Sequence, residues 1–396
     1  MRIAFITHYA ALYGANRSLL NLVDGLMQLG VQPFVVLPYE GDIMLALHDR
    51  RIPSLVVPHQ WWSSTFPPAE GVCGRAMRYF QWKRAVFQRL RGNLLALPRI
   101  IKQLKDWNID VIYTNSSVIP VGALAAWWMG KPHVWHLREF GDLDYHLTPD
   151  WSKASTNFFL RKAAAQICIS KAIRSHFAEG IVERTCHVVY NGVATEAEMD
   201  KLHQVAATRT DDNTSFVFAL VGLIHPSKGQ ETAIRALGLL KESFPGARLI
   251  IAGGGEDIKP LKKIAADCGV LERVTFWGYA ENPYEVYVQS DAVLMCSKNE
   301  ALGRVTIEAM SAAKPVIGYN SGGTAELVVD GVNGLLYKGG ERDLSSCMRS
   351  LIERPAWARD MGESGWKIAK ANYTIENYAG EINSILSDLI MHKNYD

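Results

Sequence analysis

Short apolar runs alternate with stretches of helical periodicity along this chain of 396 residues, and this alternation constrains the fold most strongly. In the first half, the apolar runs lie at residues 3–6, 34–37, 111–114, 133–137 and 167–170. Residues 16–29 carry apolar side chains at helical spacing, and Gly30 follows as a C-cap. Strands that alternate with helices form parallel sheets, so the first half is predicted to be an α/β domain.

The alternation restarts after a polar stretch at 208–215, which we take as a linker. The second half has predicted strands at 216–221, 248–252, 274–277, 292–295 and 316–319, and predicted helices at 231–240, 261–268 and 305–313. We therefore expect two doubly wound domains, 1–195 and 196–375, and a C-terminal helix, 376–396, that packs back on the first. Open parallel sheets bind ligands beyond the carboxyl ends of their strands, so two such domains would face a cleft.

Charge excludes one class of function. Lys and Arg total 42 and Asp and Glu 40, which argues against a nucleic-acid binder. The charges are divided unevenly, because residues 1–190 hold 21 basic and 13 acidic side chains while the remainder holds 21 and 27. The six cysteines include no CxxC pair, which argues against a zinc ribbon or a disulfide framework.

The first residues carry a single Arg and a short apolar run broken by His8, unlike a signal peptide. The longest helix-like apolar stretch, 118–130, is too short to span a bilayer. We therefore expect a cytoplasmic protein.

Four segments join a strand end, a loop of small residues and a helix start. They are 8–17 (HYAALYGANR), 221–231 (VGLIHPSKGQE), 252–256 (AGGGE) and 297–310 (SKNEALGRVTIEAM). Free amides at a helix start and the helix dipole favour anionic groups, and Lys228 adds a point charge suited to phosphate. One such loop is usually an ordinary turn, but four at equivalent positions predict phosphate binding.

Two carboxylates frame the fourth segment. Glu300 lies in the predicted loop after strand 292–295, and Glu308 lies inside the following helix. The segment from Gly303 to Thr306 supplies the amides of the helix start between them. One carboxylate could meet sugar hydroxyls while the other reaches hydroxyls further along a nucleotide. The alternative for Glu308 is a solvated helix residue.

The surrounding motifs make the pattern specific. After Glu308 come Ala309 and Met310, then KPVI at 314–317 and SGGTAE at 321–326, and YGANR at 13–17 and YNGV at 190–193 precede them. This set closely resembles the retaining glycosyltransferases of family 4, also called group 1. The resemblance implies the GT-B fold, which has two Rossmann-like domains.

The resemblance also implies roles for single residues. Glu308 would bind ribose hydroxyls, Glu300 would hold donor-sugar hydroxyls, and Lys228 with the Gly14 amide would stabilise the diphosphate. The implied catalytic residues are Glu300, His136 and Lys228. The implied donor-binding residues are Gly14, Lys228, Gly253, Trp277, Tyr279, Leu302, Gly303, Arg304, Val305 and Glu308. Many members of the family carry Arg where Leu223 follows Gly222, so Arg304, Arg17 or Arg138 would supply the second cation.

No metal or other cofactor is expected. Asp142, Leu143 and Asp144 spell the DxD pattern of metal-dependent glycosyltransferases, but they lie outside the phosphate loops. Lys228 and helix dipoles can stabilise the charge that develops on a leaving phosphate. The implied reaction is transfer of a hexose, expected to be glucose from UDP-glucose, to a polysaccharide or lipid-linked saccharide. A GT-B epimerase or phosphorylase and a non-catalytic nucleotide-binding adaptor are the alternatives.

The segment 71–105 has nine Lys or Arg and no Asp or Glu, with aromatic side chains between them. Such a segment suits an anionic membrane surface, which would place the protein at the inner face of a membrane. A solvated helix face is the alternative. Trp61 and Trp62 could stack on acceptor sugars, but packing in the core is the preferred interpretation.

Overall fold

The computed structural model describes residues 1–65, 72–207 and 215–393. These residues divide into two compact units. Unit 1 consists of Met1–Gly192 and Ile375–Asp396, and unit 2 is Val193–Thr374. The predicted linker at 208–215 lies outside the described residues except for Ser215.

The strands of unit 1 are β1 (Arg2–Ile6), β2 (Gln32–Leu37), β3 (Ser54–Val56), β4 (Ser63–Thr65), β5 (Val111–Thr114), β6 (His133–Leu137), β7 (Leu147–Pro149), β8 (Ala165–Cys168) and β9 (Cys186–Val188). Those of unit 2 are β10 (Phe216–Val221), β11 (Ala247–Ala252), β12 (Val274–Gly278), β13 (Ala292–Met295), β14 (Val316–Tyr319) and β15 (Gly334–Tyr337).

The helices up to the start of unit 2 are α1 (Gly14–Gln28), α2 (Ile43–Asp49), α3 (Val72–Asp106), α4 (Val121–Met129), α5 (Asp142–Tyr145), α6 (Lys153–Arg161) and α7 (Lys171–His176). The helices that follow are α8 (Glu196–Ala207), α9 (Gln230–Leu240), α10 (Lys259–Asp267), α11 (Tyr284–Val288), α12 (Arg304–Ser311), α13 (Thr324–Leu327), α14 (Glu341–Glu353), α15 (Pro355–Asn372) and α16 (Ile375–Lys393).

Each unit contains one parallel sheet. In unit 1 the strand order is β3-β2-β1-β5-β6-β8-β9, and in unit 2 it is β12-β11-β10-β13-β14-β15. The direction of winding reverses between β1 and β5 and between β10 and β13. Open α/β sheets bind ligands in the crevice at such a reversal. The loops after these four strands are therefore expected to form the binding site.

The strands are nearly continuous apolar runs because helices cover both faces of a parallel sheet. In unit 1, Phe5 and Tyr113 are fully buried under α1, while Ile6 and Ile112 are buried on the other face with α3 and α4. In unit 2, Phe218 and Leu249 lie in a core that α9 and α14 complete. The predicted α/β class is confirmed by these two sheets.

The predicted strands are all present, but their ends differ by up to two residues. The strand predicted at 167–170 is β8, which ends at Cys168. Ser170 instead caps α7, with its Oγ accepting a hydrogen bond from the Ile173 amide at 3.1 Å. Strands β3, β4, β7, β9 and β15 were not predicted, because four of them have only three residues and β15 has only four, which is too short for a clear apolar pattern.

The C-terminal helix α16 belongs to unit 1. Its buried side chains Tyr378, Ile382 and Leu386 lie in the same core as Leu19 and Val23 of α1. Among the described residues, no helix combines the length and the apolar character needed to cross a bilayer. Cys168, Cys186, Cys268, Cys296 and Cys347 are free.

Candidate functional site

The loop between β13 and α12 is held in shape by hydrogen bonds and by a glycine. Gly303 precedes α12 in the left-handed region, with φ 86°, where a side chain would strain the backbone. The Gly323 amide donates to the Glu300 carbonyl at 2.8 Å, which ties this loop to the one after β14. The amides at the start of α12 therefore lie in a rigid turn directly after Glu300.

Lys228 and Glu300 form an ion pair across the reversal point of the unit 2 sheet. Lys228 lies in the short 3₁₀ turn Pro226–Lys228 after β10, and Glu300 lies in the loop after β13. Lys228 Nζ donates to Glu300 Oε2 at 2.8 Å. The side chains are 33% and 18% exposed, so the pair can be reached from solvent. The structure thus brings together two of the three predicted catalytic residues.

Glu308 is a buried carboxylate with two partners, so the alternative of a solvated helix residue is wrong. Arg304 Nη2 donates to its Oε1 at 3.0 Å, and the Tyr287 hydroxyl donates to its Oε2 at 3.0 Å. Burial and the Glu308 carboxylate raise the pKa of Tyr287 well above its usual value. The phenol therefore stays protonated and keeps donating to Glu308, which fixes the orientation of the carboxylate.

The predicted glycine loops pack backbone against backbone. The Gly253 amide donates to the Gly278 carbonyl at 2.7 Å. A Cβ at Gly253 would lie 1.8 Å from the Gly222 carbonyl oxygen, so only glycine fits there. Trp277 and Tyr279 flank Gly278 and are 37% and 64% exposed. This edge of the sheet therefore offers close access to main chain beside exposed aromatic rings.

Leu302 is buried, while Arg304 and Val305 are half-buried at the start of α12. The guanidinium of Arg304 is engaged by Glu308. As the second phosphate cation, Arg304 would act with a guanidinium that already donates to Glu308 from Nε and Nη2.

In unit 1, the loop between β1 and α1 carries the predicted glycine. Gly14 is exposed and is the first residue of α1. Asn16 Nδ2 donates to the carbonyls of Tyr9 and Ala11 at 2.9 and 2.8 Å, so a buried amide shapes this loop. Arg17 is half-buried, and its Nε donates to the Leu12 carbonyl at 3.1 Å.

His136 and Arg138 are buried at the end of β6. His136 is fully buried and hydrogen-bonds through Nδ1 to the Tyr113 hydroxyl at 2.6 Å. Its Nε2 has no hydrogen-bond partner among the described residues. Burial and the nearby Arg138 charge hold the pKa of His136 well below its usual value, so the ring is neutral.

Arg138 joins three parts of unit 1. It donates from Nε to Asn115 at 2.7 Å, from Nη1 to Asn191 at 3.0 Å and from Nη2 to the Tyr378 hydroxyl at 2.8 Å. These partners follow β5, follow β9 and lie on α16. As placed, this guanidinium connects the loops at one edge of the sheet.

Two buried groups of unit 1 were not predicted. Glu139 Oε1 accepts hydrogen bonds from the hydroxyls of Ser116 and Ser117 and from the Ser117 amide, and burial raises its pKa. His8 is buried after β1, its Nδ1 has no partner among the described residues, and burial lowers its pKa to about 3. Their position directly after predicted strands is the signal that could have found them.

Both aspartates of the DxD pattern contact other groups of unit 1. Asp144 accepts hydrogen bonds from the amides of Phe140 and Gly141 at 3.1 and 2.7 Å. Asp142 lies 3.1 Å from His176 Nε2. Within the described residues, no group of three or more His, Cys, Asp or Glu is placed to hold a metal ion.

Two family models cover most of the chain. The model for Glycosyltransferase Family 4 matches residues 13–197, and that for glycosyl transferases group 1 matches residues 207–368. The chain therefore belongs to the family 4, group 1 glycosyltransferases, and it has the GT-B fold. The resemblance inferred from the sequence and the assignment to the transferases are confirmed at the level of the family.

Individual relatives match over a shorter length. A GDP-mannose-dependent α-(1-6)-phosphatidylinositol monomannoside mannosyltransferase of Mycobacterium tuberculosis is 32% identical over 204 residues, which is 49% of this chain and 51% of the relative. A D-inositol 3-phosphate glycosyltransferase of Nocardia farcinica is 35% identical over 156 residues, or 37% of this chain and 35% of the relative. The chain thus spans about half of the length of the first relative and about a third of the second.

Among solved structures, HepE of Anabaena in complex with UDP has a TM-score of 0.77 at 23% identity, with 98% of this chain and 100% of HepE covered. HepE with UDP-glucose has a TM-score of 0.75 at 24% identity, with 98% and 100% covered. At this level of identity the likeness establishes the fold alone.

Proposed function

We propose that the protein is a retaining glycosyltransferase that transfers glucose from UDP-glucose to a polysaccharide or lipid-linked saccharide in envelope or exopolysaccharide synthesis. The observation that carries the proposal is the ion pair of Lys228 and Glu300 at 2.8 Å, directly before the turn at Gly303. An ammonium, a carboxylate and the start of a helix together suit a diphosphate joined to a sugar. The UDP and UDP-glucose named with HepE support this choice of donor.

In this proposal each group of unit 2 has one task. Lys228 moves from Glu300 to the diphosphate, and the amides of Leu302 and Gly303 bind beside it. Glu300 then accepts hydrogen bonds from the donor-sugar hydroxyls. Glu308, already oriented by Tyr287, accepts from the ribose hydroxyls. The main chain at 277–279 and the loop at Gly253 border the base and the phosphates.

From unit 1, the proposal assigns the Gly14 amide to the diphosphate and His136 to the donor sugar. The structure buries His136, so it would reach the sugar only through its unpaired Nε2. Arg17 and Arg138 remain proposed as the second phosphate cation. Arg138 has three neutral partners in the described structure, and its positive charge would favour a nearby phosphate.

The chemistry proposed is substitution at the anomeric carbon. An acceptor hydroxyl oxygen bonds to that carbon, the bond from carbon to the diphosphate oxygen breaks, and the hydroxyl proton passes to the leaving phosphate. Attack on the same face retains the anomeric configuration, and Glu300 orients the sugar without acting as a nucleophile. Charge develops on the leaving oxygen, and preorganised donors such as Lys228 stabilise it.

Substitution of the ion pair tests the proposal. We expect Glu300→Gln and Lys228→Ala each to lower kcat about 10²-fold or more with UDP-glucose, because each removes a preorganised charge from the reacting centre. Arg235→Ala is the matched control, since it removes an exposed ion pair, with Glu231, on the neighbouring helix α9. Its kcat should stay within about twofold of the parent. Undiminished turnover in both site variants would remove the proposal.

The donor and the metal requirement need separate measurements. Calorimetric titration with UDP, GDP, UDP-glucose and GDP-mannose should give the tightest binding for the uridine compounds, and preference for guanosine would overturn that choice. We also propose that no metal takes part. Turnover in excess EDTA should therefore equal turnover without it, and loss of activity that Mg²⁺ or Mn²⁺ restores would contradict this point.

The basic segment 71–105 is the basis of our proposals for the acceptor and for the location of the protein. We place the protein at the inner face of a membrane, in contact through residues 71–105. A lipid-linked saccharide would be within its reach there. The nine basic side chains of this segment support the placement.

A further inference from the structure

Helix α3 has a buried face and an exposed face, both of which carry large apolar side chains. The buried face packs under the sheet of unit 1 and includes Val86, Ala96, Ile100 and Leu104. The exposed face carries Met77, Phe80, Phe87, Leu94 and Leu95, which are between 51% and 73% exposed. Such side chains are common singly on a surface, but five along one helix form a patch that needs an explanation.

The spacing places these side chains in one line. Positions 77, 80, 84, 87, 91 and 94 are separated alternately by three and four residues, which is the spacing of a single helix stripe. Arg84 and Arg91, both exposed, occupy two of the six positions. Aromatic and aliphatic side chains therefore alternate with guanidinium groups along the side of α3 that faces away from the sheet. We call this stripe, together with Leu95, the α3 outer face.

Helix α4 adds two tryptophans. It packs on the C-terminal half of α3, where Ala125 and Ala126 share a core with Ile100 and Leu104. The next two residues, Trp127 and Trp128, are 80% and 70% exposed. Tryptophan rings combine an apolar body with one N–H donor, and they are enriched at the boundary between lipid and water.

We propose that the α3 outer face, together with Trp127 and Trp128, docks on an anionic phospholipid bilayer. Residues 71–105 have nine basic and no acidic side chains. Arg89 and Lys102 pair with Asp150 and Asp106, and the excess of positive charge that remains favours an anionic partner. A second copy of α3 would oppose this charge with the same charge, which disfavours self-association through this face. A bilayer offers anionic headgroups for Arg84 and Arg91 and hydrocarbon for Phe80 and Phe87.

Only one part of the inference rests on the proposed function, namely that docking brings the enzyme to a lipid-linked acceptor. Docking itself depends on residues that have no part in the donor site of unit 2. Vesicle binding therefore tests membrane docking, and UDP affinity tests the donor site, so either claim can fail without the other.

Co-sedimentation of the full chain with vesicles provides the test. We expect binding to vesicles of equal parts phosphatidylcholine and phosphatidylglycerol, and little binding to phosphatidylcholine alone. Added salt should weaken the binding, since the Debye length falls from about 10 Å at 0.1 M to about 3 Å at 1 M. Equal binding to both vesicles, or binding to neither, would overturn the proposal.

Two double variants separate the charged and apolar contributions. Arg84→Glu with Arg91→Glu should weaken vesicle binding at least tenfold, because each lost cation near an anionic surface is worth about fivefold. Phe80→Ser with Phe87→Ser should weaken it by a similar factor and leave the salt dependence in place. All four side chains are exposed, so the fold should survive, and unchanged UDP affinity checks this.

The matched controls carry the same chemical changes elsewhere. Arg248→Glu with Lys263→Glu reverses two exposed charges in unit 2, and Leu45→Ser with Leu239→Ser removes two exposed apolar side chains. Both controls should bind vesicles within about twofold of the parent, as surface changes away from an interface usually do. If the α3 variants bound vesicles as tightly as the control variants, the inference would be contradicted. A dimer that only the Phe80 and Phe87 changes dissociate would identify a second copy as the occupant instead.

Discussion

Tyr287 and Tyr284 lie on the same short helix, α11, where Tyr287 is buried and Tyr284 is half-buried, and they differ in what their hydroxyls contact. The Tyr287 hydroxyl donates to Glu308, whereas the Tyr284 hydroxyl has no partner among the described residues. We expect Tyr287→Phe to weaken UDP binding about tenfold. A hydrogen bond to a charged group contributes roughly 1.5–3 kcal/mol, and only part of this bears on the ligand. Tyr284→Phe should leave UDP affinity unchanged.

The nucleotide distinguishes a positioning role for Tyr287 from general damage. If Tyr287 acts by orienting Glu308 toward ribose, Tyr287→Phe should lower the calorimetric affinity for UDP and have little effect on 2′,3′-dideoxy-UDP. Equal losses for both ligands would mean that the hydroxyl supports the fold of unit 2 rather than the ribose contact.

The carboxylates could be found from the sequence, but their partners could not. Glu300 and Glu308 stand out because a strand, a glycine turn and a helix surround them within twenty residues. Lys228 lies 72 positions before Glu300. Their contact depends on β10 and β13 being neighbours in the sheet, which local pattern does not encode. The burial of His136 behind Tyr113 escaped prediction for the same reason.

Helices α1 and α16 touch at a glycine, and that contact can be tested for its contribution to stability. A Cβ at Gly25 of α1 would lie 2.5 Å from the Ala379 Cβ of α16, whereas a Cβ at Gly380 would have nothing within 4 Å. Gly25→Ala should therefore destabilise unit 1 by about 1–3 kcal/mol through overpacking. Gly380→Ala should stabilise it by up to about 1 kcal/mol, because alanine favours the helix.

Urea unfolding measured on both variants compares them directly. A loss of stability in Gly380→Ala, or none in Gly25→Ala, would show that α16 does not pack on α1 as described. Periodicity predicted both of these helices, and the start of each lies within two residues of the predicted one. It could not predict their contact, because the small residues that permit close approach have no periodic signature of their own.

Strand and helix ends were harder to predict than the elements themselves. Ser170 was assigned to a strand because it continues an apolar run, but its hydroxyl caps α7. A serine followed by helical residues is itself a capping signal, and it competes with the strand pattern at that position. The structure shows that the cap determines where the chain turns.

The two units differ in how many neutral histidines they bury. His8, His59, His133 and His136 are all buried in unit 1. Desolvation lowers the pKa of His8 and of His133 to about 3, and it lowers the pKa of His59 and His136 as well. Glu139 and Glu381 act in the opposite direction, since burial raises the pKa of each carboxyl, but they are two groups in this unit against four buried histidines.

These shifts predict that acid destabilises unit 1. Between about pH 6.5 and pH 3 the unfolded chain binds protons that the buried rings exclude. The contribution of the buried neutral rings to the free energy of unfolding is fully present above pH 6.5. It is lost as the pH falls, by up to about 1.4 kcal/mol per pH unit for each ring. Urea unfolding between pH 7 and pH 5, with hydrogen exchange assigning each transition to a unit, should show this loss in unit 1.

A matched pair of histidine variants checks the origin of that loss. His133→Asn removes one buried ring. It should reduce the slope of the free energy of unfolding of unit 1 against pH by up to about 1.4 kcal/mol per pH unit. His48→Asn changes a histidine whose side chain is 88% exposed, so the slope should stay the same. If both variants kept the parent slope, the acid sensitivity would have to come from carboxylates. The buried histidines would then contribute to packing without linking protons to the stability of unit 1.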